Sequence, residues 1–600
     1  MRYTKDRHLA APARPSTLVI GSFPRPRGSA LSATLCIALG ALVGGCAAQT
    51  RETKAPPLAE KVESPAAAEA TLPDSAESQF HIMAGEMAAG RHMPGAAAKE
   101  FLEALKTAPD AKLAARTTAL ALAANDEDLG LAAAKRWLEI EPNALDAREV
   151  ITMLEVRKGH MTEAYAQCEA IVEDHPGGEA DGLRHVALML APEAQHKELV
   201  LALMQKLADQ HGSVAGAHYA LGLVAMRFND LPLAEKAARQ ALKIDPKSSD
   251  AQMLLAGIQV KQGNVDEADK TMEAVIHGAP NAADLRMGYA RLLLESQQRD
   301  RARKQFEAVI AAQPNNADAH YALGLMALED QKLDEATAQF TPLAAKGERR
   351  SEAAYYLGRI EEIQNHPQKA LVWYSKVEGG TQSIDAAVRS ALMLGKLKRL
   401  PEARNLLADL REQFPTMAPQ FFAVEGELLM NAGEPDQALE LYNSALSEHA
   451  NDPDLLYGRS LALEKVGKID LSEADLRQIL KDNKDDPRAL NALGYLLILH
   501  STNLDEAKKL LERALELEPD DAAVIDSAGW LQFKLGHLNE AKSLLRKAYS
   551  KTPDPEIAAH LGEVLWTMGD KEEAKVLLLT ALKDSPDQPV LKETLDRLNR

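Results

Sequence analysis

The sequence predicts an all-α protein, a solenoid of about fifteen helix-turn-helix units stacked on one another. Three observations carry that prediction. Prolines recur on a period near 34 residues, small residues recur at fixed offsets within each period, and no Val/Ile-rich alternation of the kind that marks strands is present. Composition agrees: aromatics make up 4% of the 600 residues and charged residues 26%, with Ala and Leu abundant. That balance suits a long helical protein better than a string of conventional globular domains.

The first element is a leader, residues 1–45. Arg2, Lys5, Arg7, Arg14, Arg25 and Arg27 stand against a single Asp6, and an apolar run follows from Ala30 to Val43. The run is shorter than the roughly 20 residues a membrane span needs. It ends in "LVGGC", Leu42 to Cys46, and turns polar at once. A basic region, a short apolar core and small residues before a cysteine resemble a bacterial lipoprotein signal. The resemblance implies cleavage before Cys46, whose thiol would carry the diacylglycerol. It also implies anchoring in the outer membrane, because Ala47 rather than Asp follows. Two or three acyl chains, at about 0.8 kcal/mol per buried methylene, would hold such a chain permanently.

Residues 46–77 form the second element, a lipidated cysteine and a solvated tether. The stretch "AAQTRETKAPPLAEKVESPAAAEATLPDSAES" holds few large apolar side chains and cannot bury a core. At this length a flexible coil reaches about 30 Å.

The repeat array is expected over residues 78–587. Pro109, Pro142, Pro176, Pro246, Pro280 and Pro314 are spaced by 33, 34, 70, 34 and 34, and Pro415, Pro519, Pro553 and Pro586 continue at 101, 104, 34 and 33. Gly222, Gly324, Gly358, Gly426, Gly529 and Gly562 share one offset, and twelve residues after each comes an alanine: Ala234, Ala336, Ala370, Ala438, Ala541 and Ala574. Two helices can cross at about 8 Å when the contact holds small residues, so glycine is expected to face alanine there. Proline then ends the second helix because it cannot continue it. Weak copies fall near 111–142, 180–212 and 454–487. The last element, residues 588–600, contains "PVLKETLDRLNR", whose periodicity predicts a helix capping the open end.

With its small residue in the first helix, Ala in the second and closing Pro, the unit resembles the tetratricopeptide repeat, which implies a right-handed superhelix. In such arrays the concave surface is lined from the second, fifth, ninth, twelfth and thirteenth positions of the first helix. Asp526, Trp530 and Phe533 fall on the fifth, ninth and twelfth positions, and Glu563 and Trp566 on the ninth and twelfth. Asn491 and Tyr495 occupy like places in the preceding repeat, and Tyr219, Tyr321 and Tyr355 share the fifth. Scarce aromatics beside Asp and Asn suit a protein-binding groove. The alternative is that these rings pack between adjacent helices.

"DSAGWLQFKLG" (Asp526 to Gly536) and "HLGEVLW" (His560 to Trp566) also contain the letters of a hydrolase site. No Gly-x-Ser-x-Gly elbow is present, Ser527 falls mid-helix, and His560 lies one repeat away. No enzymatic activity, cofactor or metal site is therefore expected. His81, His92, His218 and His320 recur without a convergent ligand set, and Cys168 fills an apolar slot of a second helix. With 69 Lys+Arg against 88 Asp+Glu, the formal charge of −19 excludes nucleic acid as a partner class.

The lipobox, the tether and the long array, with "NALGYLL", "DSAGW" and "HLGEVLW" near the end, resemble a family of proteobacterial outer-membrane lipoproteins. Some members act as adaptors for periplasmic carboxyl-terminal processing proteases and present cell-wall hydrolases to them. The resemblance implies a periplasm-facing scaffold that binds periplasmic proteins. The alternative is a scaffold for envelope assembly or exopolysaccharide export.

Overall fold

The computed structural model describes residues 76–598 apart from 278, 280, 346, 348, 502 and 587. The leader, Cys46 and most of the tether lie outside the described residues. Within them the chain is helical throughout: thirty-one α-helices, two short 3-10 turns and no strand. The helices run as fifteen antiparallel pairs, from Ala76–Gly90 with Pro94–Thr107 to Pro555–Met568 with Lys571–Asp584, and a single helix, Pro589–Leu598, follows. Two compact units divide at Leu323 and Gly324.

Each pair is built by the same local chemistry. An Asp, Asn or Ser often caps the start: the Asp521 carboxylate accepts from Ala523 and Val524 N–H at 2.9 and 3.1 Å, satisfying donors the helix leaves unpaired. The turn between the two helices passes through the left-handed region. Glycine supplies that conformation without strain at Gly536 (φ 84°), and Asn or a polar residue does so elsewhere, as at Asn229 (φ 61°). Pro519 and Pro553 sit two residues beyond the helices ending at Leu517 and Lys551, where they prevent continuation.

The helix crossing differs from the expectation that small residues face each other. A Cβ on Gly529 would lie 2.8 Å from Leu545 Cγ, one on Gly562 2.8 Å from Leu578 Cγ, one on Gly358 2.5 Å from Tyr374 Cε1, and one on Gly324 2.7 Å from Phe340 Cζ. Each of these four glycines therefore receives the large residue sixteen positions on, whereas Gly222 meets Leu254 of the next repeat with Ala234 and Ala237 close by. The alanines twelve on are fully buried beside the glycines, as with Ala541 and Ala574. The crossing is a knob in a hole, which fills space better than two small residues would.

The degenerate stretches are ordinary pairs, as at Glu179–Leu190 with Lys197–Gln210 and Pro453–Lys465 with Ile469–Asp482. The first has a 3-10 turn at Ala194–His196 between its helices and ends at His211-Gly212 rather than at proline. Cys168 is fully buried in its second helix, and burial pushes its thiol pKa up, so it behaves as a core residue.

In the C-terminal unit, first helices of successive pairs touch directly: Ala418–Asn431 with Pro453–Lys465, Pro487–His500 with Ala522–Lys534, and Ala522–Lys534 with Pro555–Met568. Successive second helices pack against one another far less. First helices therefore line the inner side of this unit. The closing helix packs Leu591 with Ala558, Ala559, Leu578 and Ala581, covering the end of the stack.

Candidate functional site

Three first helices near the end of the chain, Pro487–His500, Ala522–Lys534 and Pro555–Met568, converge on one polar and aromatic cluster. Asp486, Asp521 and Asp554 cap their N-termini, which fixes the backbones that carry the side chains. His560 is the centre. Its Nδ1 lies 2.9 and 3.0 Å from the two oxygens of Asp526, and its Nε2 lies 3.3 Å from the Tyr495 hydroxyl. That hydroxyl donates to Glu556 Oε1 at 2.7 Å. Tyr495 thus reaches across a whole repeat to the next but one, which only closely stacked inner helices allow.

Trp530 stacks on His560 with centroids 4.1 Å apart and planes at 18°, and Phe533 stacks on Trp530 at 4.9 Å. The Lys534 ammonium stands 4.8 Å from the Trp530 ring. Beyond it, Glu563 accepts two hydrogen bonds from Arg597 at 2.9 and 2.7 Å, and Lys571 and Lys575 stand 5.0 and 5.6 Å from Trp566.

The electrostatics follow from burial and charge together. Burial alone would lower the His560 pKa; the charge and hydrogen bond of Asp526, with Glu556 and Glu563, reverse that and hold it above the ordinary histidine value. Burial, then the Glu556 charge, pushes the Tyr495 phenol well above its usual range. On these three helices Trp530 Nε1 and Asn491 Oδ1 are buried without a hydrogen-bond partner among the described residues. A buried group left in that condition costs about 1–3 kcal/mol.

The expected groove residues are therefore of two kinds. Tyr495, Phe533, Glu563, Trp566 and Asn491 are half-buried on the inner helices. Trp530, at 5% exposure, and Asp526 are buried, so the sequence expectation of Trp530 as an exposed anchor is corrected: the next repeat's His560 covers its ring. Tyr355 is buried as well, donating to Asp385 at 2.5 Å and packing edge-on to Tyr356. In the other unit Tyr321 is buried, and Tyr219 is half-buried with its phenol pushed up to about 12 by burial first and Asp250 second. At these fifth positions the rings pack between helices.

The hydrolase letters resolve as packing. The Ser527 hydroxyl donates to the Ala523 carbonyl of its own helix at 3.0 Å, and both His560 nitrogens are engaged by Asp526 and Tyr495. The expectation that one repeat keeps His560 apart from this segment is corrected for Asp526. Thirty-four residues is one period, and one period is the contact distance of stacked helices. Sequence reasoning also passed over Glu427. It follows Gly426 as Tyr495 follows Gly494, Trp530 follows Gly529 and Glu563 follows Gly562, so the ninth-position rule would have found it. Burial pushes its carboxyl up to about 7 against an opposing hydrogen bond from Asn431.

Stacked helix pairs on a 34-residue period, lined inside by aromatic and polar side chains, define an interaction scaffold of the α-solenoid class. Models described as "Tetratricopeptide repeat" match residues 225–282, 261–327, 429–496, 499–559 and 532–598, and a second such model matches 388–455. The chain belongs to the tetratricopeptide-repeat family. It is 37% identical over 205 residues to TPR repeat-containing protein PA4667 of Pseudomonas aeruginosa, covering 34% of this chain and 35% of that protein. Human tetratricopeptide repeat protein 7A is 39% identical over 90 residues, 15% of this chain and 10% of the relative. The match thus spans about a third of the first relative's length and a tenth of the second's. Among solved structures, the Cut9-Hcn1 hetero-tetramer of the APC/C aligns over 88% of this chain and 97% of the solved chain, at 14% identity and a TM-score of 0.33.

Proposed function

We propose that the protein is an outer-membrane lipoprotein, anchored through Cys46 and facing the periplasm, that holds other proteins on the inner face of its C-terminal repeats. The observation that carries the docking face is the set of half-buried side chains Tyr495, Phe533 and Trp566 on successive inner helices, held in place by the cluster that joins three repeats around His560. These rings supply rigid apolar area at low entropic cost.

Anchoring rests on the lipobox "LVGGC" and on the tether that follows it. Among the described residues no helix is long and apolar enough to cross a membrane. The partner class we favour is a periplasmic carboxyl-terminal processing protease together with its cell-wall hydrolase substrates, on the resemblance of the lipobox, the array and the C-terminal cluster taken together. The second reading is a scaffold for envelope assembly or exopolysaccharide export.

The test takes the Cys46→Ser chain beside the parent. The parent should fractionate with the outer membrane and co-isolate a serine protease of the processing type, and the variant should be released in soluble form. Retention of the variant in the membrane removes the anchoring reading. Co-isolation of a synthase or porin in place of a protease moves the function to the second reading.

A further inference from the structure

The two ends of the repeat stack are not alike. At the C-terminal end Pro589–Leu598 covers the last pair. At the other end the first described helix, Ala76–Gly90, buries only Ser78 and Gly85, the latter with the Phe101 ring of the next helix against it. Its other side carries Phe80, Met83 and Met87, and the turn that follows carries Met93; all four are more than half exposed. Among the described residues the other exposed large apolar side chains stand singly or, as with Val576 and Leu579, in a pair, so the largest gathering is here.

The pattern of the face says what fits it. Ala76, Phe80, Met83, Met87 and Gly90 alternate in steps of four and three. That is the narrow 3.5-residue seam by which one helix packs along another, and it is narrower than the broad apolar stripe of a helix lying on a bilayer. Two polar side chains of the helix reach to neighbouring helices, Glu86 accepting from Arg116 and His81 pairing with Glu100 at 2.7 Å, while Glu77 at the helix start is exposed. The stretch from Cys46 to Ser75 offers little apolar surface to such a seam: its only large apolar residues are Leu58, Val62 and Leu72.

We propose that the occupant is a second copy of this chain, docked so that the two Ala76–Gly90 helices run antiparallel about a two-fold axis between residues 83 and 84. In that register Phe80 lies opposite the partner copy's Met87, a favourable sulfur–aromatic pairing, and the two Met83 side chains meet beside the axis. Glu77 then comes beside the partner copy's Arg91, whereas a parallel pairing would set Glu77 against Glu77. The seam itself bears no charge, so two copies of an acidic protein can meet there without local repulsion. Four half-exposed side chains offer a few hundred Å² per copy, which brings the pair near the lower bound of about 1,000 Å² for a specific interface. The dimer is therefore weak, with Kd in the micromolar range. This inference rests on removal of the leader before Cys46 and not on the docking reading above.

Sedimentation equilibrium of the full chain over a concentration series tests it, with helical content checked for each variant. The parent should dimerise reversibly, and Met83→Glu, which sets two carboxylates beside the axis, should raise Kd at least about tenfold. Glu77→Arg or Arg91→Glu alone should each weaken the dimer about threefold, and the double exchange should restore it. A parent that stays monomeric throughout, or a dimer that Met83→Glu leaves unchanged, overturns the proposal. So does flotation of a monomeric parent with phosphatidylcholine vesicles that Met83→Glu abolishes, because the occupant is then lipid. Failure of the double exchange to restore dimerisation overturns the antiparallel register.

Discussion

Replacing Gly426 by Ala tests the knob-in-hole crossing at its tightest point. A Cβ there would overlap the Cζ and hydroxyl of Tyr442, and the same ring is pressed from the other side by Gly458 of the next repeat. Tyr442 is almost fully buried, with its hydroxyl donating to the Ala423 carbonyl at 3.3 Å. The ring cannot retreat, since moving away from residue 426 drives it into residue 458. Overpacking of this kind costs about 1–3 kcal/mol, and the better helix propensity of Ala offsets about 1 kcal/mol of it. With the ring clamped on both sides the upper end applies, which leaves a net loss of about 2 kcal/mol. Tyr442→Leu alone should also destabilise, by leaving a cavity, yet it should relieve most of the overlap when combined with Gly426→Ala. Urea unfolding of the parent, both single variants and the double variant gives the coupling directly. Hydrogen exchange should place the damage within about 418–465, since each repeat leans only on its neighbours. A gain in stability from Gly426→Ala, or a cost that Tyr442→Leu does not change, refutes the reasoning.

Stability should fall as pH rises from 5 to 8. The Glu427 carboxyl is raised from 4.5 to about 7. Its contribution is therefore full below pH 4.5 and lost as pH rises through 7, a change on the order of 3 kcal/mol that Glu427→Gln should remove from the urea midpoint profile. His560, raised by Asp526 against burial, acts in the same direction: its contribution is present below the ordinary histidine value near 6.5 and fades above it. A flat profile in the parent contradicts both. Trp530→Ala should cost on the order of 3 kcal/mol of folding stability, because the ring is buried beneath His560. Thermal unfolding unchanged from the parent would show that the stack does not support the fold. Trp566→Ala and Phe533→Ala, by contrast, should leave helical content intact and weaken partner binding by about 2 kcal/mol, roughly thirtyfold, as read by titration calorimetry with the co-isolated partner. Unaltered affinity in both would move the interface elsewhere.

The repeat class was legible because its causes are local. Proline after the second helix, a turn residue able to take positive φ, and a small residue at the crossing all recur in sequence at fixed offsets. What faces the glycine was not read, although a large side chain recurs sixteen positions on, as Phe340, Tyr374, Tyr442, Leu545 and Leu578 do, because which residue meets it is set by the three-dimensional crossing. At the site, the helix positions of Tyr495, Phe533, Glu563 and Trp566 follow from register alone. Burial of Trp530 and Tyr355 does not, since it depends on how closely the next repeat stacks. The Asp526–His560 pair was readable in principle from its spacing of one period, which places two residues side by side in a stacked array.

The docking face on the first helices of the C-terminal repeats is tested most directly by site-specific photo-crosslinking in intact cells. A photoreactive residue replaces Tyr495, Phe533 or Trp566 on the inner face, or Glu512 or Lys547, which are exposed on second helices. Captured proteins are then mapped by mass spectrometry. The account predicts discrete adducts with the same partner from all three inner positions and few from Glu512 or Lys547. Equal or stronger adducts from the second-helix positions, with none from the inner ones, would contradict it.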